Sequence, residues 1–252
     1  MKELVTVFAV CAIVGAAMAV DSNVVGYNTV DVLADDMTMM GVNFDAVGGG
    51  GTSIQIALAG SFNGGEDMSS SDNLIVWKAD GGYKSYYYGV WNDLDNPEWD
   101  NLWYDSDSIE ATTLLNPGDA IWYTRRGGVT PVTICGEVLA TGSIISILAN
   151  DMTMFANTHP VPVPLNGVGG LDVLNPIGGE DMDSSDNLIV WTLANGYQTY
   201  YYGVWNDLDN PEWDNLWYDD NSVEATVSLA VGQAAWYIRK GGATTITFPS
   251  VL

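Results

Sequence analysis

The chain has 252 residues, with 32 Asp and Glu against 7 Lys and Arg, and a formal net charge of −25. That balance excludes nucleic acid and anionic membrane as partners and favours cations or neutral polymers. A single histidine and two cysteines leave no material for a metal–histidine cluster, a histidine-based triad or a disulfide framework.

In chain order, Lys2, the apolar stretch from Leu4 to Met18 and the small-x-small pattern Ala17-Met18-Ala19 read as a signal peptide over residues 1–19, cleaved just before Val20. Cys11 lies inside that stretch and follows Val10 where lipidation wants a small residue, so a lipoprotein is rejected. No later segment is uninterrupted by charge or glycine for long enough to span a membrane. The mature protein is expected to be secreted or held at the cell surface, with Cys135 as its one thiol. Cys135 is read as a small buried apolar residue, with pairing between molecules as the alternative.

The most informative feature is an internal repeat. Tyr86 to Asp105 recurs without change as Tyr200 to Asp219, both reading YYYGVWNDLDNPEWDNLWYD at an offset of 114. All ten tryptophans fall into pairs at that offset: Trp77, Trp91, Trp99, Trp103 and Trp122 with Trp191, Trp205, Trp213, Trp217 and Trp236. The repeat divides the chain into a first unit over 20–128, a connecting strand over 129–140 and a second unit over 141–252. The connector holds Pro131 and then the apolar run Val132 to Val138, which suits an ordered strand better than a loose linker.

Each unit reads as β. Leu74-Ile75-Val76-Trp77 and Tyr86-Tyr87-Tyr88 are β-branched and aromatic runs. Gly81-Gly82 in one unit and Asn195-Gly196 in the other suit a type I′ hairpin. That turn predicts Trp77 opposite Tyr86 and Ile75 opposite Tyr88 on one face, with Val76 and Tyr87 on the other. Short strands, glycine-rich breaks and little helical periodicity make the predicted fold all-β: two tandem homologous units, each a small β-sandwich or β-barrel.

The chain also resembles a group of secreted two-repeat proteins of planctomycete- and verrucomicrobia-like bacteria. The residues that carry the resemblance are Asn23-Val24-Val25-Gly26-Tyr27, the Asp-x-hydrophobic-x-Val-Trp strands Asp72 to Trp77 and Asp186 to Trp191, and the Gly-x-Ala-x-Trp-Tyr-x-Arg endings, followed by Thr247-Phe248-Pro249-Ser250. The resemblance spans the mature chain and implies the two-unit architecture and a bacterial extracellular location. It implies no activity.

The loop Asn92 to Asn101 and its twin Asn206 to Asn215 lie outside that shared pattern. Asp93, Asp95, Glu98 and Asp100, with Asp207, Asp209, Glu212 and Asp214, are the oxygen ligands Ca²⁺ would use there, although the spacing is not that of an EF-hand. The alternative is a solvated acidic turn. Trp91, Trp99, Trp103 and Tyr104, with Trp205, Trp213, Trp217 and Tyr218, offer flat apolar faces among polar groups, the surface a sugar ring wants, with Trp99 the ring expected to be exposed. The alternative is that they fill the core.

Enzymatic readings are weak. A carboxylate pair such as Glu98 and Asp105 is common in any acidic protein. Gly48 to Gly51 lacks the Lys-Ser/Thr of a phosphate loop. Arg125-Arg126 and Arg239-Lys240 read as solvated strand ends or as a basic patch meeting a neighbour's acidic loop. Two non-enzymatic functions remain: a bivalent glycan-binding protein using the Trp/Asp loops, with polysaccharide as partner, or a self-associating structural subunit of a surface layer, matrix or filament.

Overall fold

A computed structural model describes residues 24–79, 81–139, 141–192 and 194–249. The expected signal peptide and its cleavage point lie outside these. The fold is all-β. The first half holds β1 (Val25–Val32), β2 (Met37–Gly41), β3 (Thr52–Ser53), a one-turn helix α1 (Ile54–Ala57), β4 (Leu58–Gly60), β5 (Asn73–Lys78), β6 (Gly82–Gly89), β7 (Leu102–Asp105), β8 (Leu114–Leu115), β9 (Ala120–Thr124) and β10 (Thr130–Glu137). The second holds β11 (Ser143–Ile147), β12 (Met152–Ala156), β13 (Val163–Pro164), β14 (Asp172–Val173), β15 (Asn187–Thr192), β16 (Gly196–Gly203), β17 (Leu216–Asp219), β18 (Ser228–Leu229), β19 (Ala234–Ile238) and β20 (Thr244–Phe248).

The antiparallel pairing of the first half recurs in the second. Sheets ordered β2-β9-β5-β6-β7, β1-β10-β4 and β3-β8 correspond to β12-β19-β15-β16-β17, β11-β20-β14 and β13-β18. The segment expected to join the units is indeed a strand, but β10 pairs with β1 and β4 inside the first half, in the place β20 holds in the second. In each half the inner face of the five-stranded sheet closes against the three-stranded sheet. Leu74, Val76, Tyr86, Trp103, Ile121 and Tyr123 meet Val32, Leu58, Val132 and Ile134 there.

The hairpin register differs from the sequence expectation by three residues. Trp77 lies opposite Tyr83, Ile75 opposite Ser85, and Leu74 opposite Tyr86. The strands close with Lys78 opposite Gly82, and Gly82 and Gly196 each carry φ of 65°. A shift by an odd number exchanges faces. Leu74, Val76 and Tyr86 therefore point into the core, while Ile75, Trp77 and Tyr83 point outward. That outer face is covered as well: Met39, Trp122, Met154 and Trp236 form a third apolar cluster between the halves, with Ile75, Trp77, Ile189 and Trp191 packed against it.

Two further expectations are corrected. Arg125 and Arg239 are not solvated strand ends; both are buried and ion-paired, to Asp72 and Asp186. Cys135 is exposed rather than buried, because strict alternation along β10 sends Val132 and Ile134 inward and Cys135 outward. Cys135 is expected to react with an added thiol reagent in the folded protein, as located by peptide mapping. Labelling that requires denaturant would contradict this placement.

Candidate functional site

The outer face of the five-stranded sheet is divided. Its β2, β9 and β5 side, with Tyr83 at the start of β6, meets the other half, and the far end of β6 with β7 is covered by the loop that joins those two strands. Tyr87 and Tyr104, paired across β6 and β7, receive Trp91 from the loop. Trp91 meets Tyr104 edge-on at 4.7 Å between ring centroids. Gly89 permits this approach: a Cβ there would stand 2.6 Å from the Trp91 ring and 2.7 Å from Tyr104.

The loop is held by its own polar groups. Asn92 and Asn101, at φ of 53° and 66°, take the left-handed turns at its two ends. Asp100 Oδ1 accepts from the backbone N–H of Trp91 at 2.6 Å and of Asn92 at 3.1 Å. Asp93 accepts from the Asp95 N–H at 2.9 Å and the Asn96 amide at 3.0 Å. The Asn96 amide, then the Asp95 N–H, hold the Asp93 carboxyl below its ordinary range. Pro97 opens a 3₁₀ turn over Pro97–Trp99, and the Tyr104 hydroxyl donates to the Trp99 carbonyl at 2.7 Å. Burial, and after it the Glu110 carboxylate, push the Tyr104 pKa up, so this hydroxyl stays a donor.

The result is a surface cavity of about 570 Å³ lined by Trp91, Asp93, Glu98, Trp99, Leu102, Tyr104, Ser108 and Glu110. A second of about 470 Å³ recurs in the other half, lined by Trp205, Asp207, Trp213, Tyr218, Ser222 and Glu224. Its supports recur too. Asp214 Oδ1 accepts from Trp205 N–H at 2.6 Å, Tyr218 donates to the Trp213 carbonyl at 2.7 Å, and Trp205 meets Tyr218 at 4.7 Å. The edge strands carrying these cavities are also satisfied alike. Gln55 on α1 accepts from Trp103 N–H at 2.8 Å and donates to its carbonyl at 2.9 Å, and Asn166 does the same for Trp217 at 2.7 and 2.9 Å.

The expected ring residues thus separate. Trp91, Trp99 and Tyr104, and Trp205, Trp213 and Tyr218, come together around the two cavities. Trp99 and Trp213 are 47% and 50% exposed. Trp103 and Trp217 are corrected: at 1% and 2% exposure they lie in the cores, on the inner face of β7 and β17, and line neither of these two cavities.

The expected calcium ligands are corrected too. Asp93, Asp95, Glu98 and Asp100 do not converge, nor do Asp207, Asp209, Glu212 and Asp214. No group of three or more His, Cys, Asp or Glu among the described residues is placed to hold a metal ion. The reason is local: Asp93 and Asp100, like Asp207 and Asp214, turn their oxygens onto the loop's own N–H groups.

Sequence reasoning missed Ser108, Glu110 and their twins Ser222 and Glu224, which follow β7 and β17 on the far rim of each cavity. Their signal was present, since both pairs stand at the repeat offset. It also missed Leu94 and Leu208, 95% and 96% exposed at the loop tips. No protein-family model matches the chain, and no curated protein matches it. Among the described residues no helix is long and apolar enough to cross a membrane.

Proposed function

We propose that this is a secreted, non-enzymatic saccharide-binding protein, with one binding site in each half. The observation that carries the reading is the recurrence of the same ring-lined cavity, with the same exposed indole, at matching places in the repeat. An exposed tryptophan whose carbonyl accepts from a tyrosine hydroxyl offers a flat apolar face at little entropic cost. β7 and β17, which carry the cavities, are the edges of their sheets opposite β2 and β12, and β2, β9, β12 and β19 are the strands that meet between halves. The two sites therefore face away from the contact, an arrangement that suits a long polymer or two separate chains.

Two linked sites on one polymer gain roughly 10² to 10⁴ in avidity over either alone. Trp99→Ala alone, or Trp213→Ala alone, is expected to lower polysaccharide affinity at least tenfold within that gain, while the remaining site keeps its affinity for a short oligosaccharide. Replacing both should abolish both. Titration calorimetry against a panel of soluble polysaccharides and their oligomers checks this, and single variants that bind polymer as the parent does would refute it. A self-associating subunit is the second reading. It is favoured by β1, the edge of its sheet, where Tyr27 lies 78% exposed opposite the exposed Cys135.

A further inference from the structure

The polar groups on the cavity walls narrow the class of saccharide, and this step rests on the saccharide reading above. Asp93, Glu98 and Glu110 line the first cavity, Asp207 and Glu224 the second, and among the described residues no Lys, Arg or His lines either. The Glu98, Glu110 and Glu224 carboxylates accept no hydrogen bond from the described residues, so they remain open to a ligand. The hydroxyls on the walls each already hold a hydrogen-bond partner within the protein. Tyr104 donates to the Trp99 carbonyl at 2.7 Å, and Ser108 shares a hydrogen bond with Tyr87 at 2.8 Å. The second half repeats both, at 2.7 and 2.9 Å. The charged groups on the walls are therefore all anionic acceptors, beside aromatic faces.

Such a surface suits a group that only donates and carries positive charge. An ammonium has three donors and no acceptor. It is attracted by a carboxylate at close range and by the face of an indole. An uronic or sulfated sugar would be repelled. Burial first, and then Glu110 and Glu224, push the Tyr104 and Tyr218 hydroxyls up. We infer that the twin cavities select sugars bearing a free, protonated amino group, with the pyranose face against Trp99 or Trp213 and the ammonium among the rim carboxylates.

The test compares three short oligomers of equal length on the intact protein by titration calorimetry: a glucosamine tetramer, its N-acetylated counterpart and a glucose tetramer. The amine form is expected to bind roughly tenfold or more tighter than the other two. That preference should shrink with added salt and as pH rises through the amine's own pKa. Glu110→Gln combined with Glu224→Gln should reduce the preference, lowering affinity for the amine tetramer more than for the glucose tetramer. Both glutamates are exposed, so folding is not at stake. If the three oligomers bind alike and without salt dependence, the selection for amines is overturned while saccharide binding stands. If the amine tetramer binds the Trp99→Ala, Trp213→Ala double variant as tightly as the parent, it is held by overall negative charge, and the inference fails. If none of the three binds, both this inference and the saccharide reading fall.

Discussion

Arg125→Ala is expected to destabilise the protein by about 3–5 kcal/mol, the cost of leaving a buried charge unpaired. Asp72 is fully buried, and its oxygens are completely engaged. Oδ2 accepts from the Tyr123 hydroxyl at 2.6 Å, from Asn63 N–H at 2.9 Å and from Arg125, while Oδ1 accepts from Arg126 N–H at 2.7 Å. Besides Asp72, the guanidinium donates from Nε to the Gly128 carbonyl at 3.1 Å and from Nη1 to the Ser61 carbonyl at 2.8 Å. Burial first, then the bond to Asp72, push Tyr123 far above the usual tyrosine range, so its hydroxyl keeps donating at any working pH. The second half repeats the arrangement with Asp186, Tyr237 and Arg239, and Arg239→Ala should cost as much. Arg125→Lys keeps the charge but loses the planar fork, and should fall between. The paired change Asp72→Leu with Arg125→Met should recover much of the loss, since neither charge is then stranded. Arg126→Ala, exposed and bonded only through its backbone, should stay within about 0.5 kcal/mol of the parent. Denaturant unfolding measures the set, and an Arg125→Ala cost below about 1 kcal/mol would contradict the burial argument.

That ion pair shows where the sequence is readable and where it is not. The all-β fold is legible because β-branched and aromatic runs alternate with glycine-rich breaks, and the doubled cavity is legible because its residues recur at a fixed offset. Which tryptophan goes where is not. Trp77, Trp99 and Trp103 are the same residue type in similar company, yet one packs between the halves, one faces solvent and one fills a core. A strand apolar on both faces does not say which face is which, and the register hung on a turn whose length the Gly-Gly dipeptide does not fix. Arg125 and Asp72 lie 53 residues apart, and only the pairing of β5 with β9, which sets Asn73 opposite Thr124, brings them together. Their repetition as Arg239 and Asp186 was a usable signal. For Cys135 the alternation of β10 was sufficient, since Val132 and Ile134 on the inward-facing set stand three and one positions away, which puts Cys135 on the opposite face. The calcium reading failed for a different reason: composition counts carboxylates, but not the loop N–H groups that claim them.

The second large effect is expected at the contact between the halves, where replacing Trp122 and Trp236 together by alanine should turn one cooperative unfolding transition into two. Trp122 meets Trp191 and Tyr197 of the second half at 6.1 and 6.3 Å, and Trp236 meets Tyr83 of the first at 6.1 Å. Main-chain bonds cross reciprocally as well. Gly41 N–H donates to the Gly232 carbonyl at 2.8 Å, and Ala156 N–H donates to the Gly118 carbonyl at 3.0 Å. Because Gly41 and Ala156 hold matching places in β2 and β12, and Gly118 and Gly232 in the repeat, each half gives what it receives, the pattern of a two-fold contact between like surfaces. Truncating one buried tryptophan to alanine costs about 3–5 kcal/mol, and the two changes, sharing one cluster, should not add. Gly41→Val attacks the same contact from the backbone: its Cβ would stand 2.2 Å from the Ala156 Cβ and 2.9 Å from the Gly232 carbonyl oxygen, so the halves must part. Scanning calorimetry checks for the second transition, and a double variant that melts once, at the parent's midpoint, would show that this cluster does not couple the halves. Binding supplies the functional consequence. The cavities lie away from this contact, so the uncoupled protein should hold a short oligosaccharide as before. What it should lose is affinity for polymer, because two sites on halves that no longer hold a fixed separation present a lower effective concentration to one chain.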